Sequence, residues 1–308
     1  MLGPSPTPGM NLPAKATTLP TWRHLLARLG RELLRRVVAD GLPPTVRRAL
    51  RLQLQLAHAS QQPAMVPAPA GRRVLVLAPH ADDESLGCGG TLALAAQAGC
   101  SVRVLVLTDG RKGYDPARLP PGDEAARIGF EQALAAQRLQ EATAACRCLG
   151  LPAPGCLGMP DGALDSAIGW ALDPLSELLA DWRPELIFAP FATDAHPDHM
   201  AAARLLARAL ARVLARHQLP ADAQVWAYET WTPLPANTFV DIGASMAAKR
   251  AAIAAHASQM EGTDYLRVFE GLAAYRSLGA GRPGGQVEAF HRDTPAGYID
   301  QVRRAAAG

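Results

Sequence analysis

The chain has 308 residues, 49% of them hydrophobic and 19% charged, with a formal net charge of +3; this is enough to bury one large core or two modest ones. No apolar run approaches the roughly 20 residues that span a bilayer, and five scattered cysteines, an odd number, make no disulfide framework. The basicity is confined to residues 1–70, which carry +7 and leave −4 on the rest, so the main domain has no electrostatic footprint for nucleic acid.

Residues 1–20, rich in Pro and Thr and without the charged-then-apolar order of a secretory signal, read as a disordered start, and the protein as cytoplasmic. From Trp22 to Gln55, Leu and Val alternate with Arg at helical spacing, broken once at Gly41-Leu-Pro-Pro44, which predicts two basic amphipathic helices. Such helices would pack on the main domain or a neighbouring subunit, or attach peripherally to an anionic membrane surface. A Pro/Ala-rich linker ends this N-terminal extension, residues 1–70, and a second region, 71–308, follows.

From Arg72 onward, short Val- and Leu-rich runs alternate with Ala-rich helical stretches. That order predicts an α/β fold, a Rossmann-like, mostly parallel sheet with helices on both faces. Strands are predicted near 73–78, 102–107, 155–158, 186–190, 225–229 and 238–241, and helices near 86–98, 123–149, 165–181, 198–216 and 245–259. Open sheets of this kind bind ligands at the carboxyl ends of their strands. In chain order those ends carry His80, Asp82 and Asp83; then Asp109; then Asp161; then Asp194, His196, Asp198 and His199. Any one of these could be a turn or a helix cap, but four polar strand ends converge on one crevice.

A hydrolytic zinc site uses about three protein ligands and keeps one position open. His80 and Asp83 can reach one ion from a single turn, and His199 can close the triad from another strand end. That leaves Asp82 to take a proton from metal-activated water and His196 to stabilise the oxyanion or protonate the leaving group. The bland alternative is a pair of capping carboxylates and two exposed helix histidines. Zinc is the expected ion, with another divalent metal as the alternative.

At these residues the chain resembles the PIG-L/LmbE-like family of zinc-dependent N-acetylglucosaminyl deacetylases. Pro79-His80-Ala81-Asp82-Asp83-Glu84 matches its first motif except for alanine in place of the usual proline, and His196-Pro197-Asp198-His199 matches its second. The resemblance implies His80, Asp83 and His199 as zinc ligands, Asp82 as general base and His196 as the electrophilic or acid partner. It extends through Arg138-Leu-Gln-Glu141, where the arginine would contact the sugar, and Asp161-Gly162, where the aspartate would hold a hydroxyl. Tyr228-Glu229-Thr-Trp231 with Asn237, and Lys249 with His256-X-Ser258-Gln259, resemble later blocks of the family. Asp194 joins Arg138 and Asp161 among the expected substrate contacts, and Asp198 is expected just behind the ligands. The loop from Arg111 to Gly122 is a candidate cover for the site.

The implied reaction is deacetylation of an N-acetylated amino sugar or its conjugate. A metal-dependent amidase acting on a non-sugar or antibiotic glycoconjugate is the alternative with the same ligands. Gly87-Cys-Gly89-Gly90 raises a different class, a nucleotide-sugar binding or transferase domain, but three carboxylates stand where a phosphate would sit. Those glycines read better as close helix–sheet packing.

Overall fold

A strand that is apolar at every position has to be covered on both faces, because its side chains alternate between them. Val74-Leu75-Val76-Leu77-Ala78 is such a run. In the computed structural model, which describes residues 63–119 and 122–306, all five side chains are fully buried. The described elements run in the order β1 (Ala64–Met65), β2 (Arg73–Ala78), α1 (Asp83–Gln97), β3 (Ser101–Thr108), α2 (Glu124–Cys148), β4 (Gly155–Met159) and α3 (Leu164–Trp182). There follow β5 (Leu186–Pro190), α4 (Pro197–Ala215), β6 (Gln224–Tyr228), β7 (Thr238–Asp241), α5 (Met246–Ala255), α6 (Ala257–Met260), α7 (Tyr265–Gly279), β8 (Val287–Asp293) and α8 (Pro295–Ala306).

The eight strands form one sheet in the order β1-β7-β8-β6-β5-β2-β3-β4. All neighbours are parallel except β8, which is antiparallel to both β6 and β7. Leu75 and Leu77 of β2 pack with Leu175 and Leu179 of α3, Leu205 and Leu210 of α4, and Tyr298 of α8. Val74 and Val76 face the other way, onto Leu92 of α1, Ala142 of α2 and Met246 of α5. Each fully buried leucine of β2 contributes about 1.5–3 kcal/mol. The mostly parallel sheet with helices on both faces is the expected architecture.

Four details differ from the sequence reading. Helix α1 starts at Asp83 rather than near residue 86, with Asp82 as its N-cap residue, so the first motif is itself the helix entrance. The helix expected over 245–259 breaks at His256 into α5 and α6. Strand β8 and helices α7 and α8 were not predicted. β8 carries Glu288, whose buried carboxylate pairs with Lys249 and accepts from the backbone N–H groups of Gly90 and Thr91; a charge inside a central strand erases the apolar pattern that would announce it. Finally, the linker segment supplies β1, where Ala64 lies opposite Thr238 of β7. The disordered start and the two basic helices expected before it lie outside the described residues.

The glycines after the first motif do pack helix against sheet. A Cβ on Gly87 would lie 2.3 Å from the Tyr228 ring, and one on Gly90 would lie 2.8 Å from Ile242. Tyr228 in turn donates its hydroxyl to the Leu77 carbonyl of β2 at 2.8 Å, which locks α1 at the height that places the motif. No helix among the described residues is long and apolar enough to cross a membrane.

Candidate active site

Strands β2 and β5 are neighbours, but the chain runs outward from β2 to β3 and β4 before returning to β5. The loops leaving their carboxyl ends therefore diverge and open a crevice at this switch point. The β2 loop carries His80, Asp82 and Asp83, and the β5 loop carries Asp194, His196, Asp198 and His199. A cleft of about 570 Å³ opens over them, lined among others by His80, Asp82, Asp83, Arg138, Asp161 and His196.

The floor of the cleft is a web of imidazoles and carboxylates. Asp83 Oδ2 lies 3.3 Å from His80 Nδ1 and 3.2 Å from His199 Nε2, and accepts the His80 backbone N–H at 2.9 Å. Donor atoms bound to one tetrahedral zinc at about 2.0–2.1 Å are about 3.3 Å apart, so these two separations match two edges of such a site. His199 is fully buried, and neither of its ring nitrogens has a hydrogen-bond partner of good geometry among the described residues. Such an orphaned donor–acceptor pair is costly without a ligand. Ring nitrogens of His80, His196 and His199 also lie within 4.8 Å of one another.

The outer nitrogens of these rings meet further carboxylates. His80 Nε2 is 3.2 Å from Asp198 and 3.3 Å from Asp161, and His199 Nδ1 is 3.5 Å from Asp194. A histidine that binds metal through one nitrogen commonly gives the other N–H to a carboxylate, which fixes tautomer and orientation. His80, Asp161 and Asp198 also cluster closely enough to hold an ion. The Asp198 oxygens, however, already accept the backbone N–H groups of Gly162 at 2.7 Å and Leu164 at 3.0 Å, which favours an orienting role for it.

The titration behaviour follows from this crowding. For His199, burial acts downward, but the carboxylates of Asp83 and Asp194 outweigh it and raise the group to about 9. His80 is likewise raised well above its ordinary value, with Asp161, Asp198 and Asp83 overcoming its burial. Asp161 is held down at about 2 by His80 and the Lys112 backbone, against burial. Asp82 moves upward, chiefly through burial, while the Arg138 guanidinium opposes the shift. His196 moves downward through burial and the neighbouring His80 and His199, which keeps it neutral.

His196 is the N-cap residue of α4, and its Nδ1 accepts the backbone N–H of Asp198 at 3.2 Å. That contact assigns the neutral ring's proton to Nε2, so the ring can donate from that atom. Its own backbone N–H goes to Asp194 Oδ1 at 3.0 Å. Asp82, on the other wall, accepts from Arg138 at 3.2 Å. Arg138 is 3% exposed and also donates to the Gly110 carbonyl at 3.0 Å.

Of the residues expected here, His80, Asp82, Asp83, His196, His199, Asp161, Asp198 and Arg138 come together. Asp194 is a correction. It is buried beneath the cleft, with its oxygens taken by the backbone N–H groups of His196 and Trp231, so it supports the histidines and offers nothing to a substrate. Arg138 borders the cleft, but its guanidinium is engaged with Asp82 and Gly110. Ala81, in the place of the usual proline, is buried in the core, and the Asp83–His80 backbone contact holds the turn in its stead.

The loop expected as a cover is tied down at several points. Lys112 donates its backbone N–H to Asp161 at 2.9 Å, Gln259 donates to the Gly113 carbonyl at 3.0 Å, and the Tyr114 hydroxyl donates to Glu131 at 2.9 Å. The cleft is also lined by Lys112, within the loop expected as a cover, and by Trp231 and Tyr265, to which no site role is assigned from the sequence. Lys112 follows a strand end and was open to the same rule that found Asp109; Tyr265 carries no local signal.

Residues 75–210 match the PIG-L family, described as GlcNAc-PI de-N-acetylase. The chain belongs to the PIG-L family. It is 29% identical over 235 residues to the 1D-myo-inositol 2-acetamido-2-deoxy-alpha-D-glucopyranoside deacetylase of Mycobacterium sp. (strain KMS), covering 61% of this chain and 74% of that relative. Among solved structures it is similar to a conserved protein from Thermus thermophilus, with 31% identity and a TM-score of 0.59 over 71% of this chain and 93% of the other. The N,N'-diacetylchitobiose deacetylase from Pyrococcus horikoshii shares the fold, with a TM-score of 0.61 and 22% identity over 92% of this chain and 96% of the other. The PIG-L match covers both motifs and the whole web between β2 and α4.

Proposed function

We propose that this chain is a metal-dependent hydrolase that removes the acetyl group from an N-acetylated amino sugar within a conjugate. The observation that carries the reading is Asp83 Oδ2 standing 3.2–3.3 Å from a nitrogen of both His80 and His199, with Asp82 and His196 left over on the cleft walls. His80, Asp83 and His199 would hold the ion, and two nitrogens with one carboxylate oxygen suit zinc. When bound, zinc would polarise the acetamide carbonyl and make a water more acidic.

The remaining work falls to protein groups. Asp82, its affinity for protons raised by burial, accepts the proton of the attacking water as the new C–O bond forms. Arg138 holds that carboxylate in orientation. His196 donates from Nε2 to the carbonyl oxygen as negative charge develops there, a preorganised donor worth more in a dry site than in water. The C–N bond then breaks, the proton passes to the departing amine, and acetate and the free amino sugar leave. Asp161 stands at the cleft wall where a sugar hydroxyl can reach its carboxylate.

The test is acetate release from a panel of N-acetylated amino sugars and glycosides by zinc-loaded protein, before and after chelation. Release that the chelator abolishes and zinc restores is expected. Zinc-loaded protein inactive across the panel would sink the reading. The basic pattern of residues 22–55 supports a peripheral position on an anionic membrane surface of the cytoplasm; anionic and neutral vesicles in a flotation assay test that part separately.

A further inference from the structure

We propose that Lys249 and Glu288 are positioning residues for Asp82: their buried ion pair holds the first turn of α1 so that the Asp82 carboxylate keeps its aim into the cleft. The inference rests on the deacetylase reading above, in which Asp82 accepts the proton. Lys249 is 2% and Glu288 5% exposed, and neither is among the groups that line the cleft. A buried ion pair is a weak source of net stability, and apolar groups of similar volume can often take its place. Its position in the fold is therefore the informative part.

Asp82 is the N-cap residue of α1, yet its side chain caps nothing; it accepts from Arg138 at the cleft wall instead. The helix entrance thus lacks the side-chain cap that usually steadies one. The turn that follows is weak as well, because Gly87, Gly89 and Gly90 lie inside α1 and glycine is the poorest helix former after proline. The ion pair grips α1 at that turn. Lys249 Nζ donates to the Leu86 carbonyl at 2.9 Å, while Glu288 accepts the backbone N–H groups of Gly90 at 2.9 Å and Thr91 at 2.7 Å. The Leu86 carbonyl and the Gly90 N–H are the two ends of one i→i−4 step of a helix, so the cation holds one end and its partner anion the other. The Ser245 hydroxyl adds a third tie, donating to the Gly90 carbonyl at 2.8 Å. From this turn to Asp82 is a single step: the Leu86 N–H donates to the Asp82 carbonyl at 3.0 Å. Lys249 comes from α5 and Glu288 from β8, so the residue that moves the proton is referenced to the sheet and to a second helix, not to α1 alone.

The test combines acetate release from N-acetylglucosamine by zinc-loaded protein with hydrogen exchange on metal-free protein. Lys249→Met/Glu288→Gln removes both charges together, so neither is left buried and unpaired. This double variant should lower kcat about five- to fiftyfold, with KM held within about twofold and zinc stoichiometry unchanged. In an Asp82→Asn background the same double change should cost less than about twofold, since an absent base cannot be misplaced. Exchange of the Leu86 amide should quicken at least about tenfold in the double variant while the amides of β5 keep their wild-type rates. Should the double variant not fold, Glu288→Gln alone is measured and should move both readouts in the same direction. An unchanged kcat, an equal fall in both backgrounds, loss of zinc or an unchanged Leu86 exchange rate overturns the proposal. Wild-type protein that releases no acetate strikes the deacetylase reading, while the exchange rate still decides whether the pair holds the Asp82 turn.

Discussion

At the floor of the cleft the imidazoles and carboxylates crowd to 3.2–3.5 Å of one another, whereas along the rim Trp231 and Lys112 face solvent. His80 alone contacts Asp83, Asp161 and Asp198, and His199 sits between Asp83 and Asp194. The floor is thus over-determined by strands β2 and β5, while the rim is assembled from a loop after β3, a loop after β6 and the start of α7. The difference separates two tasks: a fixed floor suits chemistry that tolerates little misplacement, and a rim of exposed side chains suits discrimination among conjugates.

The sharpest way to break this contrast is at Asp82, which stands on the cleft wall beside that floor and is proposed above as the proton acceptor. Asp82→Asn should retain metal stoichiometry but lose about 10²- to 10⁴-fold in kcat, measured by metal analysis beside acetate release. A near-wild-type rate in that variant would remove Asp82 from the mechanism.

A second test addresses the floor as an ion site. An ion takes neutral imidazoles, and in the metal-free protein His199 is raised to about 9 with His80 raised as well, so protons compete with metal below that value. Uptake should strengthen from about pH 6.5 to about pH 9, roughly tenfold per pH unit for each proton displaced, in titrations against a competing chelator. The sign reverses for the stability of the metal-free protein. A raised native value stabilises fully below the unfolded value of about 6.5 and is lost as pH climbs through about 9, so the urea midpoint should fall over that window.

The smallest effect belongs to the rim. Lys112→Ala removes an exposed ammonium from the lining while leaving the backbone contact to Asp161, and should change KM by no more than about fivefold with kcat held. A kcat loss comparable to that of Asp82→Asn would erase the distinction between floor and rim.

How much of this was legible in the sequence divides along the same line. The floor was readable because β2 and β5 are continuous apolar runs with polar residues directly after them, and strand polarity alone brings His80 and His199 to one edge. Asp194 was misjudged because a carboxylate at a strand end looks the same whether it faces the cleft or turns inward to backbone N–H groups. Strand β8 was hidden by Glu288, whose charge is compensated by Lys249 from a distant helix. The rim was the least legible part: Trp231 and Tyr265 are brought to the cleft by loop geometry and by the start of a helix whose pattern is mixed. Nothing periodic marks them.

Asp198 has a consequence for anyone who would move this site to another scaffold. Its two oxygens accept from the turn that opens α3, one of them also faces the ring of His80, and its own N–H closes on His196 at the head of α4. One carboxylate thus sets the stagger of two helices and the rotation of an imidazole from a third segment. Copying His80, Asp83 and His199 alone would transfer the donors without their aim; the smallest portable unit is the pair of strand ends together with both helix heads.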